Sequence, residues 1–169
     1  MGVNVTLERR KNINRDIRSF IDRILNEGGE FLQNNFSYLH IDDYKYSTDE
    51  AVEELGLDVD LVNQLVEDYV IQILKSKAVF LGYIKGMRMA KEKSKELDYT
   101  PLRELAHKNL GVARNLRIKD AIKVLDELMR IDDLEQLTLC VKALESCAVR
   151  LNPKCAYDTL NLIKIKNSL

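Results

Sequence analysis

Between Val62 and Phe80 the apolar residues stand at Val62, Leu65, Val66, Tyr69, Val70, Ile73, Leu74 and Phe80, a rhythm of threes and fours. That spacing lines up one face of an α-helix, and a strand cannot use it. The rhythm recurs at Ile17, Phe20, Ile21, Ile24 and Leu25, at Ala121, Ile122, Leu125 and Leu128, and at Leu134, Leu137, Val141, Leu144 and Ala148. No segment alternates with the period of two that a half-buried strand needs, and no unit repeats at a fixed period. Seven Gly and two Pro in 169 residues are also too few for a fold of many short strands and turns. The class that follows is all-α: an antiparallel four-helix bundle with additional N-terminal and C-terminal helices.

Punctuation sets the expected boundaries. Residues 1–13 are polar and charged and read as a frayed start. The first apolar helix is expected to stop or kink at Gly28-Gly29, and SYLHIDDYKYS at 37–47 reads as a connector packed against something else. Residues 1–47 thus form an arm, 48–151 the bundle and 152–169 a C-terminal extra helix. Within the bundle a short helix is capped by Thr48-Asp49-Glu50 and ends at Gly56. A long helix capped by Asp58 or Asp60 runs to about Lys95. Gly82, Gly86 and Ala90 form a row of small residues in it, which predicts a close helix crossing. Pro101 opens the next helix, Asp132-Asp133 caps a later one, and Asn152-Pro153 breaks before the last.

Bulk properties exclude several functions. A net charge of −1 gives no global field for nucleic acid or an anionic membrane. Arg9, Arg10, Arg15, Arg18 and Arg23 are diluted by Glu8, Asp16 and Asp22 and read as a solvated face. No apolar run approaches the ~20 residues of a membrane-spanning helix, and the start carries charges where a signal peptide needs an apolar core; the compartment expected is the cytoplasm. Cys140, Cys147 and Cys155 are too widely spaced for a zinc site and read as small buried hydrophobes. His40 beside Asp42 and Asp43 reads as solvated polar groups, so no metal or cofactor is expected. No Ser-His-Asp spacing, phosphate-cradling glycine loop or acid pair suggests a hydrolase.

LRELAHKNLGVARNL, from Leu102 to Leu116, is where chemistry concentrates. Stepping about 100° per residue from His107 puts Leu102, Leu105, Ala106, Val112, Ala113 and Leu116 on the far, buried side. His107 then faces water, flanked by Arg103, Glu104, Gly111 and Arg114. Glycine inside a helix costs about 1 kcal/mol relative to alanine. Gly111 lies one turn from His107, so the missing side chain opens space beside the imidazole. Arg103, Lys108 and Arg114 are cations suited to an anion held there. A neutral imidazole is a nucleophile near pH 7, which makes a phosphoryl adduct reasonable chemistry.

This stretch resembles the phosphorylation-site helix of histidine-containing phosphotransfer (HPt) domains. Their usual pattern is an Ala-His pair, Leu and Lys two and three positions on, Gly at four, Ala at six and Asn-Leu shortly after. Here Ala106, His107, Gly111, Ala113, Asn115 and Leu116 are in register. The lead-in ELDYTPLRELAH, the segment DAIKVLDELMRIDDLEQLTLCVKALE and the segment STDEAVEELGLDVDLVNQLVEDYV extend the resemblance over roughly residues 48–151. The resemblance implies a phosphocarrier and not an enzyme: no kinase activity and no nucleotide. His107 would take a phosphoryl group from a receiver-domain aspartate or a histidine kinase and pass it to another receiver aspartate. The receiver of the response regulator or hybrid histidine kinase would supply the Mg²⁺.

Two positions depart from the pattern. Asn109 replaces the inward Leu, so its amide is expected to find a bond inside the bundle. Leu110 replaces the Lys and is expected at the surface beside His107, in a docking patch, with Lys108 or Arg103 covering for the lost cation. Three readings follow: a phosphotransfer protein using His107, an adaptor that binds a receiver or kinase without carrying phosphate, and an unrelated helical regulator.

Overall fold

The computed structural model describes residues 2–168, and side chains from 6 to 167. Among the described residues seven α-helices follow one another: α1 Gly2–Phe36, α2 Asp49–Leu55, α3 Val59–Glu92, α4 Thr100–Leu116, α5 Lys119–Arg130, α6 Leu134–Leu151 and α7 Pro153–Ser168. No strand occurs among the described residues. The ends follow cap chemistry. Asp58 accepts from the Leu61 amide at 2.8 Å and Asp133 from the Gln136 amide at 2.9 Å, each satisfying a helix-start donor. Gly56 ends α2 with φ +65°, a conformation that glycine adopts without strain.

Helices α3 to α6 form the bundle. α3 packs on α4 and α6, and α5 packs on α4 and α6, so each touches two neighbours around a ring. Their short connections make successive helices antiparallel. α1 lies against α6 and α7, and α7 against α1, α3 and α6. The extra helices therefore cover the α3–α6 side and leave the outer surface of α4 and α5 uncovered. One core runs through all of this, from Ile17, Leu32 and Phe36 of α1 to Leu102, Leu125, Leu137 and Ala156.

Three expectations are corrected here. α1 continues without a stop through Gly28-Gly29, and it begins at Gly2 instead of fraying over 1–13; Met1 lies outside the described residues. The two glycines mark close neighbours: a Cβ at Gly28 would meet Arg150 Cδ at 3.5 Å, and one at Gly29 the Asp42 carbonyl at 3.6 Å. Packing on α6 and α7 offsets their low helix propensity. The row of Gly82 and Gly86 is crossed by no helix, since a Cβ at either would meet nothing within 4 Å.

The 37–47 connector does pack, as a strap over the α4–α5 turn. Ile41 is buried, Tyr46 Oη donates to the Leu116 carbonyl at 2.7 Å and Tyr44 Oη to the Arg117 carbonyl at 3.3 Å. Those are carbonyls of the α4 C-terminus that have no partner within the helix. Lys123 Nζ reaches the Leu39 carbonyl at 2.8 Å, and Arg150 Nη2 the Asp42 carbonyl at 2.6 Å. Arg117, at φ +59°, is held by Glu54 of α2, so the turn is clamped from both sides.

Candidate functional site on helix α4

His107 stands at mid-height on α4, and its side chain is exposed. Leu102, Ala106, Ala113 and Leu116 are buried and fix the rotation of the helix. A Cβ built on Gly111 meets nothing within 4 Å, so the space one turn along from the imidazole is open. On the other side of the ring lies an open concavity of about 580 Å³ lined by Leu97, Tyr99, Thr100, Arg103, Glu104 and Met129, among others. His107 is part of its rim. Its floor is made by the 98–100 turn, where Asp98 accepts from the Thr100 amide at 3.0 Å, and by the end of α5.

The three cations behave differently. Arg103 Nη1 donates to the Leu128 carbonyl at 3.1 Å, and its guanidinium lies 4.8 Å from the centre of the Tyr99 ring. Tyr99 Oη in turn donates to the Asp132 carbonyl at 2.6 Å. Arg103 is therefore a positioned cation, with a fork of donors larger than the one bond uses. Arg114 pairs with Asp126 of α5 at 3.5 Å, both half exposed, so its charge is largely answered. Lys108 is exposed with no ion pair among the described residues.

Leu110 is not on this surface. It is 3 % exposed and belongs to the core, while Val112, expected inside, is 40 % exposed. The buried face of α4 is centred some 20–40° closer to Leu110 than the apolar pattern alone implies. Asn109 explains the rotation's tolerance. It is 1 % exposed, and its Nδ2 donates back to the Leu105 carbonyl at 3.0 Å, the partner the buried amide needs.

Turning Val112 outward creates a feature that the pattern of α4 alone does not reveal. Val112, Asn109, Asn115 and Leu116 form one wall of a groove of about 430 Å³. Leu65, Tyr69 and Gln72 of α3 form the other, and Leu55 and Leu57 close the end. Its lining is mainly apolar, and Leu55, Leu61 and Val112 are each about two-fifths exposed along and near it. The groove depends on which residues of α2, α3 and α4 meet, which no single helical wheel contains.

Of the three cysteines, expected to be buried, Cys155 is only half-buried, and the other two are withdrawn from chemistry. Cys140 and Cys147 are buried, and burial pushes the Cys140 thiol up to about 12 and holds that of Cys147 well above its ordinary value. No group of three His, Cys, Asp or Glu able to hold a metal occurs among the described residues. His40 is exposed and in the left-handed region at φ 54°. No helix among the described residues is long and apolar enough to cross a membrane. No protein family, curated protein or solved structure matches the chain.

Proposed function

We propose that this chain is a phosphocarrier of a two-component relay, with His107 as the phosphoacceptor. The observation that carries the reading is an exposed imidazole in the middle of a bundle helix, with open space at Gly111 on one side and a concavity on the other. In the transfer, a neutral imidazole nitrogen attacks phosphorus of an aspartyl phosphate on a receiver domain. The N–P bond forms as the acyl P–O bond breaks, and the carboxylate leaves. The reverse step loads the next receiver. The receiver would hold the Mg²⁺ that neutralises the phosphoryl oxygens, and this chain contributes orientation and docking.

Arg103, anchored on Leu128 and Tyr99, and Lys108, without an ion pair among the described residues, supply positive charge near the acceptor in place of the family's lysine. The groove of Leu55, Leu65 and Val112 beside α4 suits the apolar part of a receiver or histidine kinase. On this reading the protein works in the cytoplasm and has no kinase activity of its own. One observation favours an adaptor that carries no phosphate: Leu110, at the position of the family's lysine, is buried.

Incubation with a labelled small phosphodonor, or with a phosphorylated receiver, separates the two. Acid-labile, base-stable label on the wild type that is absent from His107→Gln is the result expected. A folded wild type that stays unlabelled with every donor while still binding a receiver establishes the adaptor instead.

A further inference from the structure

A further concavity, of about 380 Å³, opens where the strap meets the start of α5 and the end of α6. That is room for a small molecule, whose sites run from about 300 to 1,000 Å³. Asp120 of α5 forms part of its wall, although the residue is only 7 % exposed. Neutral groups surround the carboxyl. The Ala121 amide donates to it at 2.7 Å and the Cys147 thiol donates to it from α6. The Tyr69 phenol of α3, fully buried, acts on it from the core and has no hydrogen-bond partner among the described residues. Burial raises the Asp120 carboxyl to about 6, the behaviour of an acid short of a counter-charge.

The counter-charge is present but does not reach. Arg150 lines the same concavity, and its charge acts on Asp120, yet no ion pair joins the two among the described residues. Its one hydrogen bond here goes to the Asp42 carbonyl of the strap at 2.6 Å, which leaves most of the five donors of a guanidinium unused. Lys45 of the strap adds a second cation to the lining. A carboxylate and a guanidinium held apart in this way are desolvated with little mutual gain.

That arrangement selects a ligand by charge. A simple cation placed there meets Arg150 and Lys45, and a simple anion meets Asp120. A molecule carrying both charges satisfies both sides. An α-amino acid bears its ammonium and carboxylate on one carbon, and so bridges groups that sense each other without touching. The rest of the lining is Leu25, Leu151, Tyr44 and Tyr46. Both tyrosine hydroxyls already donate to carbonyls at the end of α4, so this part of the wall offers mainly apolar surface.

We infer that the concavity under the strap binds a free α-amino acid with an apolar side chain, its ammonium on Asp120 and its carboxylate on Arg150. The site is independent of the phosphotransfer reading, since none of its residues belongs to α4.

Calorimetric titration of the full chain at about pH 7.5, where Asp120 is ionised, tests this with L-leucine, L-methionine and L-phenylalanine. At least one is expected to bind with a Kd of order 0.1–1 mM. Its amide, which keeps only the ammonium, its deaminated acid, which keeps only the carboxylate, and glycine, which lacks the side chain, should each bind at least tenfold more weakly. Asp120→Asn should erase the preference for the amino acid over the deaminated acid. Arg150→Gln should erase the preference over the amide, and Arg150→Lys should restore part of it. These preferences are ratios within one variant, so a general loosening of the strap does not mimic them. No binding of any of the three amino acids at ~10 mM, an amide or deaminated acid that binds as tightly, or preferences unchanged in Asp120→Asn would overturn the proposal.

Discussion

Replacing Gly111 by alanine separates two reasons for keeping a glycine there. Gly111 sits in the interior of α4, and the added methyl meets no atom within 4 Å. Its backbone is not among those with positive φ, so alanine brings no strain. The balance is then helix propensity, which favours alanine by about 1 kcal/mol. For a chain of this size that raises the melting temperature by roughly 2–4 °C. The same methyl stands beside His107 in the space through which a receiver loop approaches, so labelling by a phosphorylated receiver should fall at least tenfold. Labelling by a small phosphodonor, which needs less room, should fall less. Gly86→Ala, equally open and on another helix, is the control: a similar gain in stability with transfer unchanged. Thermal unfolding and initial labelling rates on the three proteins decide it. A stabilised Gly111→Ala that accepts phosphate from a receiver as fast as wild type would refute the access argument. A destabilised one would show that the space is occupied.

Asp120 gives a pH-dependent prediction. Burial raises its carboxyl to about 6 from 3.8, against opposing hydrogen bonds from Ala121 and Cys147 and the nearby Arg150 charge. A raised folded-state value means that stability from this group is complete below the unfolded value and is lost as pH rises through about 6. Two units at about 1.4 kcal/mol each set a ceiling near 3 kcal/mol. Asp120→Asn should therefore be more stable than wild type at pH 8 and show no gain near pH 4; denaturant unfolding at both pH values giving a constant difference would exclude this. Lys77 bonds the buried Glu145 at 2.7 Å. Lys77→Met alone should cost roughly 2–3 kcal/mol by leaving that carboxylate unpaired, and adding Glu145→Gln should recover more than half of it; additive losses in urea titrations would show that the pair is uncoupled.

The sequence by itself determined which segments are helical and where most of them end. Apolar periodicity, Asp58, Gly56, Pro101 and Asp133 act within a few residues of themselves, so local chemistry is enough. It also determined that His107 faces outward, because six residues of one helix set that rotation to within a quarter-turn. Finer rotation was decided only by tertiary packing. Leu110 and Val112 lie on either side of the expected face, and the arrangement of α3 and α5 chose the first for the core. The same holds for glycine, whose lack of a side chain says only that space was needed. At Gly28-Gly29 the space admits Arg150 and the strap, at Gly111 it is left open, and at Gly82 and Gly86 none of the described residues enters it. Which of these occurs depends on residues distant in sequence, and that is information no local pattern can hold.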